Sequence, residues 1–221
     1  GNSSIGSPPG NTVPPTSNKV IVRVGGGIGN QLFMYAAGRR LALAHDAELV
    51  IDDVSGFLYD HQYKRKYQLD HFHILCRKAT PSERLEPFSR IRRFILKQIS
   101  KRRPFEKRTY IKQEGIDFDR RLLIANVKGT VYLEGYWQSE GYFKDVEPII
   151  RKELRIKQPM DTFNLAIAER ILNCQAVAVH VRFFDHPGED GINNAQADYY
   201  ARAVDEMERI VPDAQYFVFS D

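Results

Sequence analysis

The chain is poor in the features that would place it in several large classes at once. It has two cysteines in 221 residues, Cys76 and Cys174, far apart and without metal-ligand spacing. They supply neither a disulfide framework nor a zinc site, and such usage favours a reducing compartment. No apolar run approaches the length that spans a bilayer, and no basic-then-apolar leader opens the chain. The nucleotide-loop signatures are missing as well. A dinucleotide fingerprint counted from Gly25 needs glycine at the position held by Asn30, and no Gly-Lys-Ser/Thr follows to make a P-loop. A large excess of one charge is also lacking: 32 Lys and Arg against 28 Asp and Glu give a net +4. That balance suits an anionic small molecule, an anionic membrane surface or nucleic acid without choosing among them.

What is present reads as an α/β protein. Residues 1–18, rich in Gly, Ser, Pro, Asn and Thr, have almost nothing to bury, and a disordered leader is expected there. Val20 to Val24 is a short apolar run, Gly25 to Asn30 a tight glycine turn, and Gln31 to His45 has helical spacing. Glu48 to Asp52 returns as a second strand, so the segment is a βαβ unit and a parallel sheet follows. The glycines suit close backbone approach, and the helix N-terminus favours anions. Asn30 and Gln31 place two amides there that can hold sugar hydroxyls. The competing reading makes Asn30 a helix cap and leaves Gln31 solvated.

Ala176 to Val179 reads as a strand covered on both faces, leading into His180, Arg182 and Asp185. Ligands in open α/β sheets sit beyond the carboxyl ends of strands, so these three are expected at a crevice. Arg182 offers a planar donor fork that matches a phosphate. The plainer alternative is an interior strand ending in a surface ion pair. Tyr216 to Phe219 is a second buried strand, with Ser220 and Asp221 at its carboxyl end, and a helix from Asp198 to Ile210 carries Asp198 as N-cap. A chain ending on its binding edge is expected of a fragment.

Two stretches carry aromatic or basic bias. Tyr136, Trp137 and Gln138 lie in a mixture that stacks on sugar rings and bonds hydroxyls, although a lone tryptophan is more often a core anchor. Between residues 90 and 108 nine Lys and Arg face one acid, Glu106. Ile91, Phe94, Ile95 and Ile99 share a helical face there, which predicts an amphipathic helix. Its basic face either is solvated while the apolar face packs on the core, or lies on an anionic membrane surface. Nucleic acid is not expected, for no stacking platform accompanies the charge. His71 and His73 lack further ligands at supporting spacing, so no metal is expected. Residues 155–160, polar and proline-containing, mark the boundary between a domain at 19–155 and another at 156–221.

Four blocks in order resemble the inverting α1,2-fucosyltransferase family. They are Gly26-Gly27-Ile28-Gly29-Asn30-Gln31-Leu32-Phe33, Lys66-Tyr67-Gln68-Leu69, Gly135-Tyr136-Trp137-Gln138-Ser139-Glu140, and Val179-His180-Val181-Arg182 with Phe217 to Asp221 downstream. The resemblance implies two Rossmann-like domains with parallel sheets in a GT-B-like arrangement, the second incomplete in this chain, with the site in the cleft between them. It implies GDP-L-fucose as donor substrate, a glycan acceptor ending in galactose, and no cofactor or metal. Arg182 matches the arginine that holds the GDP diphosphate. His180 and Asp185 match the motif's histidine and aspartate, to be grouped with Arg182 as catalytic. Gly29, Asn30, Gln31, Ser220 and Asp221 match the donor side, and Tyr136, Trp137 and Gln138 are assigned to the acceptor. The implied setting is the cytoplasm, at the periphery of the inner membrane, or alternatively the Golgi lumen with an anchor removed.

One departure stands out. Phe183-Phe184 replaces the family's Arg-Gly after Arg182. A charge-assisted contact contributes roughly 1.5–3 kcal/mol, so donor affinity is expected to fall by about tenfold to a hundredfold. Two alternatives follow from it: a non-catalytic glycan- or nucleotide-binding remnant, or a transferase using another nucleotide sugar.

Overall fold

The computed structural model describes residues 18–183, 191 and 194–220. The leader expected at residues 1–18 therefore lies outside the described residues except for Asn18, whose carbonyl accepts from Glu48 N at 2.9 Å. The chain divides into two units, Gly1–Lys157 and Gln158–Asp221.

In the first unit the expected βαβ segment forms as β1 (Lys19–Arg23), α1 (Ile28–Ala44) and β2 (Glu48–Asp52). The helix begins three residues earlier than its periodicity suggested. Gly27 is its N-cap, so Asn30 lies inside the first turn and does not cap it. Around this core lie β3 (Arg77–Lys78), α2 (Ser89–Lys101), β4 (Tyr110–Lys112), β5 (Thr130–Glu134) and α3 (Glu147–Glu153). The five strands form one sheet in the order β3-β2-β1-β5-β4, and every pairing is parallel. Central strands of such a sheet are covered on both faces, and Val20, Val22 and Val50 are fully buried.

Helix α1 is apolar almost all round, as a helix embedded in a core should be. Its Met34, Tyr35, Leu41 and Ala42 are buried. Gly38 lets it press on β1: a Cβ there would sit 2.3 Å from a Val22 methyl. The Tyr35 hydroxyl donates to Glu153 on α3 at 2.6 Å and accepts from Leu75 N at 3.1 Å, while Arg39 holds the same carboxylate at 2.8 Å.

Helix α2 overturns an expectation. Its apolar face does not pack on the core. Arg93 and Ser100 are buried, whereas Ile91 and Phe94 are 59% and 61% exposed, with Ile95 and Ile99 also exposed. The reason is the seat: residues 93, 97 and 100 share one face, and what they meet is polar, as described below.

The second unit contains α4 (Thr162–Leu172), β6 (Ala176–Val181), α5 (Ala197–Ile210) and β7 (Gln215–Ser220). β6 and β7 pair in parallel as a two-stranded sheet. Both strands were expected to be buried, and neither is. β6 alternates between exposed and half-buried, and Val218 and Phe219 on β7 are exposed. Among the described residues each strand has one neighbour, so both are edges and alternation replaces full burial. Gln196, not Asp198, is the N-cap of α5, and Asp198 sits in its first turn. There a carboxylate still favours the positive end of the helix dipole.

Candidate functional site at the strand ends

A sheet of order 3-2-1-5-4 reverses direction between β1 and β5, and ligands bind beyond the carboxyl ends at such a switch point. A pocket of about 300 Å³ lies there. Its walls come from Arg23 at the end of β1, Gly25 and Gly26 after it, Gly56 after β2, Lys112 and Gln113 at the end of β4, and Glu134 to Tyr136 at the end of β5. Gly26 has a φ of +74°, a left-handed conformation that favours glycine. A Cβ on it would lie 2.8 Å from the Asn30 side-chain nitrogen and 3.4 Å from the Tyr136 ring. Glycine thus lets the amide and the aromatic ring close on the turn.

Three of the residues named from sequence meet at this lip. Asn30 accepts a 2.6 Å hydrogen bond from Gln138 Nε2, and Tyr136 stands half exposed beside them. Amide donors and acceptors next to an aromatic face are what a sugar ring and its hydroxyls require. Gly29 lies near, on the first turn of α1, with open space where a Cβ would be.

Two other expectations are corrected. Gln31 does not face a cleft; it is 0% exposed. Its Nε2 donates to the carbonyls of Gly26 and Lys66, each at 2.9 Å, and its Oε1 accepts from Gln68 N at 2.9 Å. The amide is consumed in tying the glycine turn to the segment at 66–68, because three unpaired backbone groups would otherwise be left there. Trp137 is 1% exposed and packs edge-on against Tyr142, with ring centroids 5.3 Å apart. It anchors the core, and its indole N–H has no hydrogen-bond partner among the described residues.

Two residues of the pocket wall, Arg23 and Glu134, belong to a charge network that the sequence did not announce. Asp52, at the end of β2, is buried and accepts from Ser55 N at 2.9 Å and Ser55 Oγ at 2.5 Å. Ser55 Oγ in turn accepts from Arg23 Nε and Arg93 Nη2, each at 3.0 Å. Glu134, at the end of β5, accepts from Lys97 Nζ at 2.8 Å and from the Tyr110 hydroxyl, with Arg23 at 3.8 Å. Burial pushes the Glu134 carboxyl up, but donation from Lys97 and Tyr110 outweighs it and holds the group below the usual carboxylate range. For Lys97 burial wins, and its ammonium titrates below the ordinary lysine value. Burial and the Glu134 charge hold the Tyr110 phenol far above its usual range, so it stays a donor. Arg23, Gln113 and Glu134 were missed as site residues. The available signal was position, since Arg23 and Glu134 close apolar strands.

In the second unit His180 lines a pocket of about 170 Å³ with Tyr199, Tyr200 and Tyr216, between β6, β7 and α5. Parallel pairing sets Ser220 opposite Val181. Arg182 therefore leaves β6 at the same sheet edge as Ser220, and both are exposed. Phe183 is exposed beside Arg182. Asp185, Asp221 and Phe184 lie outside the described residues. Among the described residues, no group of three or more His, Cys, Asp and Glu is placed to hold a metal ion.

No protein-family model matches the chain. It is 26% identical, over 219 residues covering 91% of this chain and 68% of the relative, to an alpha-1,2-colitosyltransferase of Escherichia coli. Among solved structures it resembles the fucosyltransferase NodZ from Bradyrhizobium, with a TM-score of 0.51, 15% identity, and coverage of 92% of this chain and 72% of that one. It also resembles NodZ alpha-1,6-fucosyltransferase soaked with GDP-fucose, with a TM-score of 0.50, 14% identity, and coverage of 92% and 71%. The likeness to the solved structures fixes the fold as the α/β, GT-B-like architecture of those enzymes.

Proposed function

We propose that the chain is a glycosyltransferase that moves L-fucose from GDP-L-fucose to a galactoside hydroxyl with inversion, without a metal. The observation that carries this reading is the β6–β7 register, which brings Arg182 and Ser220 to one carboxyl edge of a parallel sheet. The similarity to a colitosyltransferase and to a fucosyltransferase soaked with GDP-fucose supports a nucleotide-sugar donor. In the reaction the acceptor oxygen attacks the anomeric carbon as the bond from that carbon to the phosphate oxygen breaks. The hydroxyl proton passes to a base, and GDP departs with its added negative charge. A guanidinium at Arg182 stabilises that charge in the transition state. His180, Asp185 and Glu140 are the candidate bases. Tyr136, Asn30 and Gln138 would receive the acceptor sugar at the strand ends of the first unit, which moves Asn30 from the donor side to the acceptor side.

A second reading concerns the donor. The colitosyltransferase similarity favours colitose, which is fucose lacking its 3-hydroxyl, as the transferred sugar. The test is a donor panel with released GDP as readout, run on wild type and Arg182→Ala. Transfer from one donor by wild type and a loss of about 10²–10³-fold in the variant, with an unchanged thermal melt, is expected. Retained turnover in Arg182→Ala removes the arginine from its role. Absence of GDP binding by calorimetry favours the non-catalytic remnant.

A further inference from the structure

Helix α2 is docked the opposite way from an ordinary surface helix. Its polar face turns inward: Arg93 meets Asp52 and Ser55, Lys97 meets Glu134, and Ser100 Oγ accepts from Tyr110 N at 2.9 Å. The apolar stripe that normally faces a core is therefore presented outward, as the ridge Ile91, Phe94, Ile95 and Ile99, with Phe88 at its N-terminal end. The ridge continues across a groove of about 630 Å³, where Leu58 and Tyr59 stand with Ile91 and Phe94. A contiguous exposed apolar patch of this kind marks an interaction surface.

The charges around it say what kind of surface fits. Once Arg93 and Lys97 are paired inward, Arg90, Arg92, Lys101, Arg102, Arg103 and Lys107 flank the ridge and the turn after it, with Glu106 as the sole acid between residues 89 and 113. A second copy of this chain seated face to face would bring the same cations against each other, because a two-fold interface pairs a patch with itself. Phospholipids with anionic headgroups offer what both features need: hydrocarbon for the ridge and negative charge for its rim.

We propose that α2 docks the chain on an anionic membrane surface, lying in the headgroup plane with Ile91, Phe94, Ile95 and Ile99 inserted and the flanking arginines and lysines on the phosphates. No helix among the described residues is long and apolar enough to cross a membrane, so this contact is peripheral. It does not depend on the transferase reading. The groove beside the ridge shares Arg23 with the strand-end pocket, so docking sets that pocket close to the lipid headgroups.

Flotation of the full chain with vesicles tests this. Phosphatidylcholine vesicles containing phosphatidylglycerol should carry the protein, phosphatidylcholine alone should not, and high salt should release it. The Ile91→Ser/Phe94→Ser/Ile95→Ser variant should lose at least about tenfold in partitioning with an unchanged circular-dichroism spectrum. Arg102→Gln/Arg103→Gln, outside the polar seat, should weaken binding and flatten its salt dependence. Failure to float with the anionic vesicles overturns the proposal, as does binding by both variants equal to that of wild type. A wild-type dimer in sedimentation that the triple-serine variant abolishes, with no flotation of either, would assign the face to a second copy instead.

Discussion

Helices α1 and α2 flank the same parallel sheet and are built on opposite rules. α1 has little amphipathic contrast and buries nearly everything, including the polar Gln31 and the hydroxyl of Tyr35. α2 has strong contrast and buries the side a hydropathy plot would assign to water. The difference lies in what each helix meets. α1 lies over β1 and its neighbours, whose valines and isoleucines offer only apolar surface, and Gly38 removes the last obstacle to contact. α2 crosses the carboxyl ends of β2 and β5, where Asp52 waits buried and Glu134 half-buried. A buried carboxylate without a cation costs far more than an exposed isoleucine gains by burial. The acids therefore decide the orientation.

The largest effect is expected from removing a cation that seats α2. Arg93→Met leaves the Asp52 carboxylate buried beside an apolar chain, and breaking such a pair costs about 3–5 kcal/mol. Adding Asp52→Asn should return part of that loss, because the unpaired charge is gone. Urea titration of the three proteins measures it, and a neutral Arg93→Met would mean that α2 is not held by its polar side. Next in size is the contrast between apolar positions. Leu41→Ala on α1 empties core volume and should cost about 2–5 kcal/mol, whereas Ile95→Ala on α2 should stay within about 0.5 kcal/mol. Equal losses at the two positions would show that the outward ridge is covered by protein.

This contrast explains what could be read from the residues beforehand. The β1–α1–β2 segment was legible because apolar runs bounded by a glycine turn leave little choice of element or of parallel pairing. The existence of α2 was legible too, from the spacing of Ile91, Phe94, Ile95 and Ile99. Its orientation was not, since that depends on Asp52 and Glu134, acids brought under the helix by the strand order. β3 and β4 are two and three residues long, too short for any period to show. For the site, residue types drew attention to Tyr136, Asn30 and Gln138, which the fold brings to one lip. Type alone could not tell the inward Gln31 from its outward neighbour, nor the buried Trp137 from its exposed neighbours, because sidedness is set by a single residue step. Arg23 and Gln113 became site residues only through register across the sheet.

The smallest effect is a pH dependence at the seat of α2. Glu134 titrates lower in the folded chain than its ordinary value, so it contributes stability above the usual carboxylate range, and that contribution is lost as pH falls through the folded-state pKa. Lys97 titrates lower than an ordinary lysine. Between its folded and unfolded values the unfolded chain binds more protons, so stability rises with pH there. Replacing the acid in Glu134→Gln removes the first slope and steepens the second, because Lys97 loses the carboxylate that opposed its burial. Melting temperatures of the two proteins should therefore converge in acid. On the alkaline side, below the ordinary lysine value, the variant should recover stability faster than wild type. Parallel profiles across the whole range would mean that Lys97 and Glu134 face solvent, and α2 would then have no polar seat to set it apart from α1.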